Sequence, residues 1–280
     1  MPVMPERSIT VIHPTAVVHP DARIAPGCRI GPHAVIDAHV ELGEGCEVGP
    51  FVHLTGHTRI GARNRFHAGA VIGDAPQDFK YDGSATRLRI GDDNVFREHV
   101  TVHRSNKTAE DTVIGNGNFL MAGCHVGHNC ELANHIIVAN GALLAGHVHV
   151  ADKAFISGTC VVHQSCRIGR LALMQGASGI SKDLPPFCIA RGNNGIAGLN
   201  TIGLRRAGIS AADRLLLRRA YHRLFRSKLR LQAAIAEARR EFEGSALVME
   251  LVEFVASTRR GVCRDTGSRL GPPESVGAEA

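Results

Sequence analysis

The chain has 280 residues, 44% hydrophobic and 21% charged, a balance that fits a folded, water-soluble protein of one or two domains. No stretch reaches the roughly 18 apolar residues of a membrane span, and Met1 to Ser8, with Glu6 and no apolar run, does not read as a secretory leader; the expectation is a cytoplasmic protein with no stable membrane insertion. Aromatic content of 4% with no Trp excludes a thick aromatic core, and a net charge of +6 speaks to solubility and steering without calling for nucleic acid.

From Ile12 a large apolar residue recurs every six positions: Ile12, Val18, Ile24, Ile30, Ile36, Leu42, Val48, Leu54, Ile60, Phe66 and Ile72. The phase returns at Ile90, Phe96 and Val102, then runs unbroken from Ile114 to Ile180, for 26 repeats in all. Gly often follows the apolar residue, as at Gly31, Gly43 and Gly127, and a small residue commonly stands four places after it. An α-helix needs an apolar spacing of 3.6 and tolerates few Gly, so a period of six predicts short strands turned at regular intervals. Hexapeptide-repeat proteins, which this pattern resembles, wind three repeats into one triangular coil, so that residues 18 apart stack at the inter-strand spacing of about 4.8 Å. The resemblance implies a mainly β fold, a left-handed parallel β-helix over 10–190.

Cys28, Cys46, Cys124, Cys130, Cys160 and Cys166 all fall four residues after an inward apolar position. There they read as small buried thiols; with no CxxC spacing, neither disulfides nor structural zinc are expected.

Two gaps interrupt the repeat, near 73–88 and 104–112, where the in-phase residues Asp78, Ser84 and Thr108 are polar. These predict loops leaving the prism, the usual place for binding chemistry. Pro185 and Pro186 are expected to stop the ladder by removing amide donors. A small α-helical domain is predicted over 200–260, with Ser210, Ser227 and Ser245 as N-caps. Its apolar faces are read as Leu215, Leu216, Tyr221, Leu224 and Phe225, then Leu229, Ile235 and Phe242, then Leu247, Leu251 and Phe254. Residues 261–280 read as a disordered tail. Between Leu204 and Arg260 there are 13 Arg and Lys against 6 Asp and Glu, a basic surface that suits an acidic protein partner.

The period also locates chemistry. Eighteen residues after His128 comes Gly146, so His128 should stack over Gly146 and beside His147, with His163 over Ala145. A histidine can take a hydroxyl proton at neutral pH, and the Gly146 amide could donate to an oxyanion; the pair suits acyl transfer from a thioester. Three clustered imidazoles could equally hold a catalytic zinc, as in the β-helical carbonic anhydrases. Spacing alone leaves both open.

The segments Gln77-Asp78-Phe79-Lys80-Tyr81, Thr101-Val102-His103-Arg104, Met121 to Cys130, Leu144-Ala145-Gly146-His147, Val162-His163-Gln164 and Asp183-Leu184-Pro185-Pro186 resemble, in that order, the UDP-N-acetylglucosamine 3-O-acyltransferase family of lipid A synthesis. The resemblance runs from about Ile12 to Arg260. It implies His128 as the general base on the sugar 3-hydroxyl, or on the 3-amine in relatives using a diamino sugar, against a 3-hydroxyacyl thioester on acyl carrier protein. Gly146 would serve the oxyanion; Gln77, Asp78 and His125 the acyl hydroxyl or the sugar; Lys80 and His147 would line the site. His163, Gln164, Asn200 and Arg206 match nucleotide contacts, and Gly176 the floor of an acyl groove. A homotrimer with sites between neighbouring prisms is implied, and no metal or organic cofactor.

Three positions depart from the pattern. Asn129 stands where relatives often carry an Asp that orients the base; its oxygen can accept from an imidazole N–H but brings no charge. A slower or differently tuned base is expected. Ile202 and Ala207 replace an acidic and a basic residue in the nucleotide region. A sibling acting on a glucosamine nitrogen usually carries an extra N-terminal domain, whereas here the repeat begins near residue 11.

Overall fold

A two-residue strand has no stability of its own, so each strand here depends on the ladder above and below it. The computed structural model describes residues 9–267. From Val11–Ile12 to Gly179–Ile180 it contains 26 strands of two to four residues, each holding one of the in-phase apolar residues. Consecutive strands fall on successive faces of a prism, and every third strand pairs in parallel, as Val11–Ile12 does with Arg29–Ile30. The chain is a left-handed parallel β-helix. We number its faces 1, 2 and 3 after the strands Val11–Ile12, Val17–Val18 and Arg23–Ile24.

From Ile30 upward the in-phase residues are buried, and the column four places later, including Cys28, Cys46, Cys124, Cys130, Cys160 and Cys166, fills the corners without exposure. All eight cysteines are free. In the first coil Ile12, Val18 and Ile24 stay partly exposed, because no described coil lies beneath them. Outward positions differ by face. Face 3 carries Arg23, Glu41, Arg59 and Arg89 in register, as water requires. Face 1 carries Arg29, Glu47 and Arg65 in its lower coils and Val95, Phe119, Ile137, Phe155 and Leu173 above them.

The corners need left-handed backbone. Between faces 1 and 2 that conformation falls on His33, Phe51, Gly69, His99, Gly123, Gly141, Thr159 and Ala177, one in each coil after the first; Gly adopts it freely and other residues only where packing enforces it. Between faces 2 and 3 it falls on Gly56, Asn129, His147 and Ser165. At the corner between faces 3 and 1 the buried Asn64, Asn94 and Asn118 form a column. Asn94 donates from its backbone N and Nδ2 to Asn64 Oδ1 (3.0 and 2.9 Å), while Asn94 Oδ1 accepts from Asn118 N (2.8 Å). These partners are 30 and 24 residues apart instead of 18, because the chain leaves the prism in between, from Asp74 to Arg87 and from His103 to Asp111. Both excursions depart from the corner between faces 2 and 3.

The ladder does not end at Pro185 and Pro186. They sit at a corner, and Cys188–Arg191 beyond them pairs in parallel with the strand Leu173–Met174, then antiparallel with Gly195–Leu199. Among the described residues four helices follow: α1 (Thr201–Arg206), α2 (Ala211–Phe225), α3 (Leu231–Glu241) and α4 (Ala246–Ala256). Ser210 and Ser245 cap α2 and α4 through their side chains. Ser227 caps nothing ahead of it: its hydroxyl donates back to Arg223 O (2.7 Å) at the end of α2, and α3 starts after Arg230 with no side-chain cap.

The helical core also differs from the predicted stripes. Leu217, Ala220, Ala234, Ala238, Val248, Val252 and Val255 are buried, whereas Leu215 and Leu229 are exposed. A Leu- and Arg-rich helix fits two neighbouring phases, and the small Ala residues, which let the helices approach, carry little hydrophobic signal. Leu171 and Phe187 of the prism join this second core. Past Gly261 the chain is still built in: Cys263 is buried, and Arg264–Asp265 pairs with Gly195–Ile196. The rest of the predicted disordered tail, 268–280, lies outside the described residues. Among the described residues no helix is long and apolar enough to cross a membrane.

Candidate active site

His128 lies in the turn after the strand His125–Val126, at the corner from which both loops depart, one coil above the second. The ladder sets it against the next coil: His147 N donates to His128 O (2.9 Å). The imidazole covers Gly146 so closely that a Cβ there would stand 2.6 Å from ring atoms Cε1 and Nε2. Only a residue without a side chain leaves room for the ring. The Gly146 N–H makes no hydrogen bond among the described residues.

Asn129, 4% exposed, fixes the other side of the ring. Its Oδ1 meets His128 Nδ1 at 2.8 Å and accepts from Asn106 N at 3.0 Å. Its Nδ2 donates to Ser105 Oγ (2.7 Å) and Glu110 Oε2 (2.9 Å), and its backbone N donates to Thr112 Oγ1 (2.7 Å). Asn106, Ser105 and Glu110 all belong to the second loop.

A groove of about 920 Å³ opens in front of His128, lined by Gln77, His103, His125, Gly146, His163 and Gln164 among others, with Leu143 and Val161 as apolar rungs. Asp78, next to Gln77 on the first loop, is held by two donors: Asn106 Nδ2 donates to its Oδ2 (2.7 Å) and Lys80 N to its Oδ1 (3.0 Å). Those two donors, and then the charge His128 can carry, hold the Asp78 carboxyl below its ordinary range. Burial, then the neighbouring His103 and His128, pushes His125 down to about 4, so it is neutral at physiological pH; its Nδ1 lies 2.7 Å from Thr101 Oγ1. Burial likewise lowers His103 and His147. A cleft of similar size on face 3, about 890 Å³, is lined by Arg23, Glu41, Arg59 and Arg89 and holds no histidine.

Thus Gln77, His125, His128, Gly146, His163 and Gln164 gather in one groove, with Asp78 beside them. His147 touches the His128 ring edge-on, centroids 5.2 Å apart, but faces Glu110 rather than the groove. The side chain of Lys80 is exposed at the loop. Gly176 and Arg206 are exposed and outside the groove's lining. Asn200 is buried as the N-cap of α1, its Oδ1 accepting from Gly203 N and its Nδ2 donating to Leu171 O, so both ends of its amide are committed to structure. His103, next to the inward Val102 in the segment Thr101 to Arg104, also lines the groove; its place in the sequence, directly after an in-phase residue, is the signal that points to it. Glu110 and Asn106 lie in a loop that has no period to read. Among the described residues no three of His, Cys, Asp and Glu converge as a metal site would need.

A β-helix of six-residue repeats with a corner histidine over an open amide defines a hexapeptide transferase, and residues 39–74 and 111–146 match the family described as bacterial transferase hexapeptide (six repeats). Residues 183–263 match the family described as UDP N-acetylglucosamine O-acyltransferase, domain 2. The chain is 42% identical over 256 residues to the acyl-[acyl-carrier-protein]–UDP-N-acetylglucosamine O-acyltransferase of Syntrophobacter fumaroxidans, covering 90% of this chain and 99% of that one. Its fold superposes on the crystal structure of the Francisella novicida UDP-N-acetylglucosamine acyltransferase with a TM-score of 0.89 at 34% identity, over 96% and 100% of the two chains. The corresponding Arabidopsis enzyme gives 0.82 at 35%, over 91% and 100%. The chain belongs to the acyl-[acyl-carrier-protein]–UDP-N-acetylglucosamine O-acyltransferase family.

Proposed function

We propose that this chain transfers a 3-hydroxyacyl group from acyl carrier protein to the 3-hydroxyl of UDP-N-acetylglucosamine, the first step of lipid A synthesis, in the cytoplasm. The observation that carries the reading is the pair His128 and Gly146: a ring tethered through Nδ1 over a backbone amide, with neither Nε2 nor that amide partnered among the described residues, in a groove with apolar rungs. Nε2 takes the proton of the sugar 3-hydroxyl, whose oxygen attacks the thioester carbonyl. The Gly146 N–H donates to the oxyanion while the C–O bond forms. The C–S bond then breaks, and the carrier's thiolate leaves with the proton from His128. The reaction balances without a metal or organic cofactor.

Gln77, Asp78 and His125, around His128, serve the acyl hydroxyl or the sugar; His163 and Gln164, at the far end of the groove, serve the nucleotide. Lys80, His147, Gly176 and Arg206 keep the roles the family resemblance implies only if a neighbouring chain completes the site, while the Asn200 side chain is already committed within its own chain. Face 1 supports such an assembly. Its stacked outward residues Val95, Phe119, Ile137, Phe155 and Leu173 are the wrong chemistry for water, and Phe79 stands fully exposed on the first loop. A trimer closed through these surfaces buries them. The basic helical domain suits an acidic carrier: Glu237, Glu241, Glu250 and Glu253 are held in ion pairs, leaving a cationic excess.

The test is to incubate the protein with 3-hydroxyacyl carrier proteins of several lengths and with UDP-N-acetylglucosamine or its 3-amino analogue, and to identify products by mass. Acylated UDP-sugar is expected, and its loss in His128→Ala. Absence of product, or a His128→Ala variant at full rate, sinks the reading.

A further inference from the structure

The partner expected to bring a charge to His128 is an Asn, and an amide alone cannot stabilise an imidazolium as a carboxylate does. The structure places a carboxylate one hydrogen bond further out. Glu110 Oε2 accepts from Asn129 Nδ2 at 2.9 Å, and Asn129 Oδ1 meets His128 Nδ1 at 2.8 Å. The direction of the Asn129 amide is set by its neighbours. Asn106 N–H can only donate, so the atom facing it is Oδ1; the Glu110 carboxylate can only accept, so the atom facing it is Nδ2. Oδ1 can only accept, and therefore His128 holds its proton on Nδ1 and presents the lone pair of Nε2 to the groove. Lys107 Nζ holds the other Glu110 oxygen at 3.0 Å, which keeps the carboxylate in place.

We infer that Glu110 is a positioning residue for His128: through Asn129 it fixes the imidazole tautomer and supplies the negative charge that Asn129 lacks. The inference rests on the reading of His128 as the general base. Glu110 acts without receiving a proton. As Nε2 takes the sugar proton, the new positive charge lies two hydrogen bonds from a carboxylate instead of facing a neutral amide alone. The other ionisable groups around the ring are Asp78 from the first loop, His103 and His125 from face 2, His147 from the coil above and Lys107 from the second loop. Of these Asp78 is the only other anion, and its carboxylate is engaged by Asn106 Nδ2 and Lys80 N.

Because Glu110 acts through Asn129, its effect should reverse sign when Asn129 becomes a carboxylate. In the native background Glu110→Gln should lower kcat about 10-fold, the scale of losing a partner that orients a catalytic ligand from behind, with KM within about twofold. The acid limb of the kcat/KM profile should move to lower pH, because the imidazolium has lost a stabilising charge. In Asn129→Asp two carboxylates face each other where Asn129 and Glu110 now bond, so adding Glu110→Gln should leave kcat unchanged or raise it. A role confined to holding the loop would lower kcat in both backgrounds and leave the pH profile alone. That result, or Glu110→Gln with native kcat and pH profile, overturns the assignment. His128→Ala, measured alongside, separates the two claims: if it keeps full rate, the base reading falls and Glu110 with it; if it is inactive while Glu110→Gln behaves as native, only the positioning role falls.

Discussion

Replacing Gly146 by Ala should cripple turnover while sparing the fold. The backbone at Gly146 is not left-handed, so Ala is free of conformational strain there. The added methyl would stand 2.6 Å from Cε1 and Nε2 of His128 and 3.1 Å from Nδ1, where unstrained carbon contacts need about 3.5–4.0 Å. The ring must therefore swing away by about 1 Å, against the 2.8 Å bond to Asn129, and a displacement of about 1 Å at a reacting centre costs on the order of 100-fold. The Gly146 N–H survives the substitution, so the loss reports on the ring. Because the strain falls on a side chain at a surface groove, it should cost stability only about 1 kcal/mol, the low end for overpacking. Product formation followed by mass gives kcat and KM, and thermal melting gives the fold. A variant with kcat within about threefold of the native chain, or one that fails to fold, would refute the geometry.

Asn94→Ala should destabilise the prism by about 3 kcal/mol, because it strips hydrogen bonds from Asn64 Oδ1, Gly115 O and Asn118 N inside a dry corner; a urea midpoint unchanged from native would contradict the role given to the column. Native protein should resist thiol reagents and show all eight thiols once denatured without reductant, since every cysteine is buried and free; native labelling, or fewer than eight, would speak against the register. Burial pushes the Asp265 carboxyl up, but Arg226 and Tyr221 outweigh it and hold it below its ordinary value. A depressed folded value gives stability above the unfolded value of about 3.9 that is lost as pH falls through the folded one. The melting gap between native protein and Asp265→Asn should therefore be widest near neutrality and close in acid; a constant gap counts against the ion pair.

Most of the prism was legible because one residue in six must point inward in every coil, so the signal is repeated until it cannot be missed. The stacking of His128 over Gly146 follows from the same arithmetic. What escaped has no period. Pro185 and Pro186 read as a stop because their missing amides matter in a strand, but they lie at a corner where the ladder asks for none. Ser227 looked like the serine caps before α2 and α4, and only the backbone shows its hydroxyl turned back to Arg223. Asn200 carries the right residue type for a nucleotide contact and is spent on a helix end. Glu110 sits in a loop whose path no spacing predicts, and its meaning depends on the identity of Asn129 across a hydrogen bond.

The buried Asn column has a consequence for how such a molecule can change. Asn64, Asn94 and Asn118 tie together three successive coils across the two windings that the excursions lengthen, and they do so from a corner the excursions do not use. The scaffold is thus riveted at one edge while its payload hangs from another, so a loop can be lengthened, swapped or rebuilt without the neighbouring coils slipping out of step. Substrate preference in this architecture can drift by exchanging short inserts on a frame that need not be redesigned each time.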